Sequence, residues 1–129
     1  MTQPRTALVA DDDAASRRLL VRLLEERGWR VLEANTGQAV LECCEHVPLD
    51  LILLDLRMPG RIDGLRAAFL LRQNPTQREV PIIAITASPY KTFRHRAFAA
   101  GCTAFMSKPV NLKQLLEQID RLTLPQEGP

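Results

Sequence analysis

The sequence predicts an α/β fold in which a five-stranded parallel sheet is doubly wound, with helices on both of its faces. Short apolar runs alternate five times with segments of helical periodicity, which favours right-handed crossovers between parallel strands. One run, Leu49–Leu54, is almost entirely aliphatic, as expected for a central strand that is buried on both faces. The 129 residues contain no repeat, low-complexity stretch or interior linker. We therefore expect a single domain over residues 1–129, with its core at about residues 6–122.

The first two strands and helices follow from apolar runs and capping residues. Ala7–Ala10 is a short apolar strand that ends at three aspartates, and Asp13 can cap the helix that follows. This helix is expected to run until Gly28, a good C′ residue, and Arg30–Ala34 forms the second strand. Thr36 then opens the second helix. The residues expected to face the core from these helices are Leu19, Leu20, Leu23, Leu24, Ala39, Val40 and Cys43.

The middle of the chain continues the alternation. Leu49–Leu54 is the third strand, and a helix from Leu65 to about Gln73 is ended by the pair Asn74-Pro75. Pro81–Ile85 is the fourth strand because it is again nearly all aliphatic.

The last third of the chain supplies the remaining elements. Pro89 suits the first turn of a helix that runs to Gly101, and Ala104–Met106 is the fifth strand. Asn111 caps a final helix, and residues 123–129 are expected to be disordered. The residues of the final helix that are expected to face the core are Leu112, Leu115, Leu116 and Ile119.

Composition and charge exclude several classes of protein. The net charge is +2, so neither nucleic acid nor a membrane is expected as the main partner. No signal peptide or stretch of transmembrane length is present, which predicts a soluble, cytoplasmic protein. Cys43 and Cys44 are adjacent and His46 alone cannot complete a metal site, so we expect reduced thiols.

Polar residues stand where the predicted strands end. The first strand ends at Asp11-Asp12, the third at Asp55, the fourth at Thr86 and the fifth at Ser107-Lys108. Because the carboxyl ends of parallel strands meet at one edge of a sheet, these side chains should share a pocket. The acidic run from residue 11 to 13 alone would also be explained as a helix cap, but a charge at the end of the apolar third strand is costly without a function.

The chemistry of such a pocket is that of phosphoryl transfer. Clustered carboxylates repel one another unless a cation compensates, and Mg²⁺ or Mn²⁺ is the natural candidate. Asp55 could then attack a phosphoryl group while the metal ion and Lys108 neutralise charge on the phosphoryl oxygens. The Thr86 hydroxyl could bond the phosphoryl group once it is in place.

From about Thr6 to Leu122 the chain resembles the CheY-like receiver domains of response regulators. The residues that carry the resemblance are Asp11-Asp12, Asp55, Met58-Pro59, Asp63-Gly64, Thr86-Ala87, Ala100-Gly101 and Lys108-Pro109. The resemblance implies a flavodoxin-like sheet with strand order 2-1-3-4-5. It also implies a cis peptide bond between Lys108 and Pro109.

The resemblance assigns a role to each residue of the pocket. Asp55 would be the phosphoacceptor, and Lys108 would bind the phosphoryl group. Asp12, Asp55 and the backbone carbonyl of Arg57 would hold the metal ion directly, with Asp11 acting through water. The switch pair would be Thr86 and Phe105, the hydroxyl closing on the phosphoryl group as the ring turns inward.

The implied function is that of a switch, not of an enzyme acting on other molecules. A histidine kinase or a histidine phosphotransfer protein would donate the phosphoryl group. A target protein would bind the face built from the fourth helix, the fifth strand and the final helix, and a phosphorylation-dependent dimer is also compatible. The start at Met1 favours a stand-alone protein over a receiver excised from a hybrid histidine kinase. A magnesium-dependent phosphotransferase is disfavoured, since Arg57 stands where its acid–base carboxylate is needed, and the intact site disfavours an unphosphorylated module.

The sequence departs from the family pattern in two places. Gly64 lies one position later than usual after Asp55, so one extra residue among Gly60, Arg61 and Ile62 enlarges the loop beside the pocket. The helix after Thr86 starts with a basic and aromatic stretch, in a segment from Val80 to Leu116 that has no carboxylate. This stretch is either a solvated cationic face with two core rings or a surface for an acidic partner. Its residues are Pro89, Tyr90, Lys91, Phe93, Arg94, His95 and Arg96.

Overall fold

A computed structural model describes residues 4–87 and 91–124 of the chain. Within these residues, strands and α-helices alternate as predicted, with a short 3₁₀ helix, Pro75–Gln77, before the fourth strand. The elements are β1 Thr6–Ala10, α1 Ala14–Glu25, β2 Arg30–Ala34, α2 Gly37–His46, β3 Leu51–Asp55, α3 Gly64–Gln73, β4 Ile82–Thr86, α4 Lys91–Ala99, β5 Ala104–Ser107 and α5 Leu112–Thr123.

The strands form one parallel sheet in the order β2-β1-β3-β4-β5, which confirms the predicted fold class and strand order. All five residues of the central strand β3 are buried. Because successive side chains of a strand point to opposite faces, Ile52 and Leu54 pack with α2 and α3, whereas Leu51 and Leu53 pack with α1 and α5. The sheet therefore has a hydrophobic core on each face, as the doubly wound prediction requires.

Three of the predicted helix caps are confirmed. The Asp13 carboxylate accepts a hydrogen bond from the Ser16 N–H at 2.8 Å, and the Thr36 hydroxyl accepts one from the Ala39 N–H at 3.0 Å. The side-chain oxygen of Asn111 caps α5 in the same way. These side chains satisfy N–H groups that have no partner within the first turn of a helix.

The prediction that Gly28 is the C′ residue of α1 is confirmed, because Gly28 has a φ of +89° and its N–H donates to the Glu25 carbonyl oxygen, while the Trp29 N–H donates to the Leu24 carbonyl oxygen. Other predicted details differ from the structure. In α2 the fully buried thiol is that of Cys44, whose pKa burial raises to about 12; Cys43 is only partly buried. Helix α5 continues to Thr123, where its hydroxyl accepts a hydrogen bond from the Arg5 guanidinium. The predictions for Pro89, Tyr90 and residues 125–129 concern positions outside the described residues.

Candidate functional site

The carboxyl edge of the sheet brings together an ammonium group and two buried carboxylates. Asp11 directly follows β1, Asp55 is the last residue of β3, and Lys108 directly follows β5. The Lys108 Nζ atom lies 2.8 Å from an Asp11 carboxylate oxygen and 3.0 Å from an Asp55 carboxylate oxygen. Asp11 is 2% exposed and Asp55 5% exposed, so both charges are largely removed from water. A cation at Lys108 is what makes this burial tolerable.

Asp12 completes a cluster of three carboxylates. Oxygen atoms of Asp11, Asp12 and Asp55 all lie within 4.8 Å of one another, and Asp12 is exposed to solvent. Three negative charges then face the single positive charge of Lys108. This set of oxygen donors and its excess negative charge suit a hard divalent cation, which would be reached from the exposed side.

The protonation of the pair at the centre of the site depends on both burial and partners. Burial raises the pKa of the Asp55 carboxyl group and the neighbouring Asp11 charge raises it further, while the Arg57 N–H and Lys108 act to lower it. Burial lowers the pKa of the Lys108 ammonium, but its hydrogen bonds to both carboxylates more than offset this and leave the pKa raised. Lys108 therefore stays charged at neutral pH.

The remaining predicted site residues surround this centre. Thr86 ends β4 and is fully buried, and its carbonyl oxygen accepts a hydrogen bond from the Lys108 N–H at 2.8 Å. Phe105 lies on β5 opposite Ala84 and is partly buried against the core on the α2–α3 face. Arg57 is exposed, and its backbone N–H donates to an Asp55 carboxylate oxygen at 2.9 Å. The Lys108–Pro109 peptide bond is cis, which confirms that prediction.

One contact at the acidic turn was not predicted. The Arg17 guanidinium donates a hydrogen bond to the Asp11 carbonyl oxygen at 2.8 Å and a second to the Glu33 carboxylate at 3.0 Å. Arg17 thereby ties α1 to the turn that carries Asp11 and to β2. Its position four residues after Asp13, one helical turn above the acidic turn, was the signal available in the sequence.

The enlarged loop between β3 and α3 packs against α2. Gly60 has a φ of +100°, a conformation that glycine adopts without steric cost. Ile62 is partly buried against the hydrophobic core, and its carbonyl oxygen occupies the space that a Cβ atom of Gly37 would need. Gly64 is equally constrained, because a Cβ atom there would overlap the backbone of Asp55. The loop is therefore held by its neighbours on both sides.

An apolar depression adjoins the charged centre. It has a volume of about 480 Å³ and lies between α1 and the segment that joins β5 to α5. Leu19 lines this depression with 53% of its surface exposed, so the prediction that it faces the core is wrong. The lining residues are Asp11, Ser16, Leu19, Leu20, Lys108, Pro109, Val110 and Leu112.

Helix α4 exposes all of its basic residues. Lys91, Arg94 and Arg96 are exposed, and Ala97 is the fully buried residue of the helix. Phe93 packs partly against the core, whereas Phe98 is 41% exposed and lies 5.7 Å from the Arg94 guanidinium carbon, measured to the ring centroid. The exposed face of α4 is thus cationic, and one aromatic ring lies on it.

None of the helices within the described ranges has the length and hydropathy that crossing a bilayer requires.

Sequence comparison finds one family and relatives of two kinds. Residues 7–120 match the model of the response regulator receiver domain. The chain is 34% identical over 110 residues to the signal transduction histidine-protein kinase BarA of Shigella flexneri, a match that covers 85% of the chain but 12% of the kinase. It is 31% identical over 117 residues to the polar-differentiation response regulator DivK of Brucella anthropi, covering 90% of the chain and 94% of DivK.

Solved structures share the fold over almost the whole chain. The receiver domain of the sensor histidine kinase PA1611 from Pseudomonas aeruginosa, with a magnesium ion coordinated in its active-site cleft, is similar with a TM-score of 0.85 and 27% identity, covering 94% of this chain and 98% of that one. The Saccharomyces cerevisiae co-crystal structure of the phosphotransfer protein Ypd1 and the receiver domain of Ssk1 gives a TM-score of 0.84 and 26% identity, covering 95% and 91%.

Proposed function

Because this chain belongs to the response regulator receiver family, we propose that it is a signalling switch in which Asp55 accepts a phosphoryl group from a phosphohistidine. The observation that carries the proposal is the hydrogen-bonded contact of Lys108 with Asp55 and Asp11, beside the exposed carboxylate of Asp12. The donor would be a histidine kinase or a histidine phosphotransfer protein. The Ypd1–Ssk1 complex is a precedent for the second kind of donor in a protein of similar fold.

We propose Mg²⁺, or Mn²⁺, as the cofactor of this site. The three clustered carboxylate groups fit such an ion, and the similar PA1611 receiver holds magnesium in its cleft. Asp12, Asp55 and the backbone carbonyl of Arg57 would hold the ion directly, and Asp11 would act through water. When bound, the ion supplies positive charge against the carboxylates and the phosphoryl oxygens.

The transfer step uses the ionised Asp55 carboxylate as nucleophile. One of its oxygens forms a bond to phosphorus while the nitrogen–phosphorus bond of the phosphohistidine breaks, and the bonding pair stays on the imidazole nitrogen. The Lys108 ammonium, already 3.0 Å from Asp55, donates hydrogen bonds to the phosphoryl oxygens. Burial raises the pKa of the Asp55 carboxyl group, and the hydrogen bond and charge of Lys108 act to lower it.

The donor protein would approach over the apolar depression beside Lys108. Leu19 is half exposed there, and burying its side chain would add hydrophobic free energy to the encounter. Pro109 and Val110 line the same depression and follow Lys108 in the chain. A donor histidine docked on this surface would lie beside the charged centre. The position of this apolar depression beside Lys108 supports a protein as phosphodonor, in addition to any small phosphodonor.

The output follows from a change in packing at Thr86 and Phe105. Phosphorylation adds roughly two negative charges at Asp55. The Thr86 hydroxyl would turn toward the phosphoryl group, and the Phe105 ring would move into the space that is vacated. This movement would repack α4, which is joined to the core chiefly through Ala97 and Phe93. We call the face of α4, β5 and α5 the output surface.

The output surface would bind an acidic target protein or, after phosphorylation, a second copy of the chain. Lys91 and Arg94 are exposed on α4, which carries no carboxylate, so the field there favours a negative partner. A double variant with Lys91→Glu and Arg94→Glu should keep normal phosphorylation but bind the target more weakly and with less dependence on salt. Normal target binding by this variant would show that the cations serve only solubility.

Whether the receiver stands alone or belongs to a larger kinase is the subject of a separate proposal. We propose that residues 1–129, with a core at about residues 6–122, form one domain of a stand-alone, cytoplasmic receiver, and DivK, of which the chain covers 94%, supports this form. The match to 12% of BarA supports the alternative of a receiver within a hybrid kinase. In either form the domain would catalyse only its own phosphorylation and dephosphorylation.

The test of the phosphoacceptor is direct. The chain is incubated with acetyl phosphate, with and without magnesium, and acid-labile phosphate is measured. Asp55→Asn should abolish the labelling, whereas Asp120→Asn, a matched change at an exposed position of α5, should leave it unchanged. Undiminished labelling of Asp55→Asn would refute the assignment. Labelling that does not need magnesium would refute the proposed metal ion.

A further inference from the structure

We infer that a groove between α3 and α4, away from the output surface, is a docking site for an acidic protein segment that carries a large apolar residue. The groove has a volume of about 400 Å³. Its wall opposite α3 includes Ala99, the last residue of α4, and Ala100, which follows it, and their side chains end at Cβ and so leave the space open. The lining residues are Asp63, Leu65, Arg66, Phe69, Arg96, Ala99 and Ala100.

Phe69 provides the apolar contact. The face of α3 that packs on the sheet consists of other residues, among them Leu65, Ala68 and Leu71, and Phe69 lies off this face with 52% of its surface exposed. A single exposed apolar residue on a convex surface is ordinary. This ring instead lines a concavity, where an incoming side chain would contact the ring and the helix walls together.

Charge decides which kind of partner fits. Arg66 and Arg96 lie on the groove, and among the described residues no carboxylate comes within 4.0 Å of either guanidinium group. The one acidic residue of the groove, Asp63, accepts a hydrogen bond from the Arg66 N–H as the cap of α3, so its charge is directed at the helix end. An acidic segment would pair with the guanidinium groups, and arginine and aromatic residues are the types that dominate binding energy at interfaces.

The groove and the output surface use different sides of α4. Arg94 and Phe98 contact each other on one side, whereas Arg96, Ala99 and Ala100 line the groove. Each residue turns about 100° around the axis of an α-helix, so Phe98, two residues after Arg96, lies well over a quarter turn from it. Neither Asp55 nor Lys108 lines the groove, so failure of the Asp55 assignment would leave this inference standing.

The experiment selects short random peptides on phage against the unphosphorylated chain, and then measures affinities of the recovered peptides by fluorescence anisotropy. We expect recovered peptides to be rich in Asp and Glu around a Leu, Phe or Trp. Ala99→Glu fills the groove with a negative side chain at an exposed helix position, and Phe69→Gln removes the apolar contact. Each should weaken binding by at least about tenfold. Phe98→Gln, a matched change on the other side of α4, should change it less than about twofold.

Three results would overturn the inference. The first is that no peptide is enriched on the wild-type chain over the Ala99→Glu variant. The second is that recovered peptides bind Phe69→Gln and Phe98→Gln equally well, which would make Phe69 an ordinary surface residue. The third is that a single-stranded oligothymidine binds as tightly as the best peptide, which would identify a general polyanion surface. Thermal unfolding of all three variants, each changed at an exposed residue, establishes that they are folded.

Discussion

Replacing Lys108 by methionine should destabilise the chain in a way that depends on pH and on magnesium. The change keeps the length and the apolar stem of the side chain but removes the ammonium group that lies 2.8 Å from Asp11 and 3.0 Å from Asp55. Two carboxylates then remain buried without a counter-charge. Removing one partner of a buried ion pair costs far more than the pair itself contributes, because the remaining charge is stranded.

The size of the effect has an upper bound. Each charge-assisted hydrogen bond contributes about 1.5–3 kcal/mol, so the loss of two would cost at most about 6 kcal/mol. The stranded carboxylates can relieve their repulsion by binding one proton, which at neutral pH costs about 4 kcal/mol for an ordinary aspartate. The Lys108 side chain is 22% exposed, so solvent screens part of the interaction. We therefore expect a loss of about 2–4 kcal/mol at neutral pH.

The stability deficit of Lys108→Met should depend on pH, because the cost of protonating a buried carboxylate limits it. The cost of protonating a carboxylate falls as the pH approaches its unfolded pKa, so the deficit should shrink to about 1 kcal/mol near pH 4.5. Millimolar magnesium should restore more stability to Lys108→Met than to the wild type, because the ion supplies the missing positive charge.

Urea unfolding at both pH values, with and without magnesium, measures all three effects. Lys113→Met, at an exposed position of α5, is the matched control and should be close to neutral under every condition. A deficit for Lys108→Met that equals that of the control, or that does not change with pH, would refute the argument that Lys108 compensates two buried charges.

Three further predictions concern the same edge of the sheet. Burial raises the pKa of the Asp55 carboxyl group, so the stability that this group contributes is greatest below its unfolded pKa and is lost as the pH rises through its folded pKa. At neutral pH without magnesium, Asp55→Asn should therefore be more stable than the wild type, as measured by urea unfolding. Asp12→Ala should weaken magnesium binding at least about tenfold by calorimetry, whereas Asp13→Ala should lose the α1 cap and some stability but bind magnesium normally. Gly37→Ala gains up to about 1 kcal/mol of helix propensity, but its Cβ atom overlaps the Ile62 carbonyl oxygen at a cost of about 1–3 kcal/mol. The urea concentration at the unfolding midpoint should therefore fall. A rise would mean that the loop containing Ile62 moves away at little cost.

The elements of the fold could be predicted because their determinants are local. The apolar run before Asp55 is typical of a strand at the sheet centre, and Asp13, Thr36 and Asn111 each precede a segment of helical period. Local patterns reach their limit at the width of a buried face. Leu19 recurs at the same helical spacing as Leu20 and Leu24, yet 53% of its surface is exposed, because the period does not show how much of a helix its neighbours cover.

The candidate site was predictable for a topological reason. In a parallel sheet every strand ends at the same edge, so residues from 11 to 108 could be placed in one pocket without any knowledge of distances. The order of the strands was inferred from family resemblance, since the alternation of strand and helix is the same for other orders. The residues themselves therefore predicted which side chains share the edge, but not how closely each approaches another.

Only the tertiary structure decided the contacts that give the site its shape. Arg17 donates to both the Asp11 carbonyl oxygen and the Glu33 carboxylate, and Glu33 lies on another element, 16 positions along the chain. Lys108 meets Asp11 across 97 positions of the chain. Such contacts depend on the packing of whole helices and loops against the sheet. A pattern along the chain records which face a residue occupies, and it carries no information about the partner that the folded chain brings to that face.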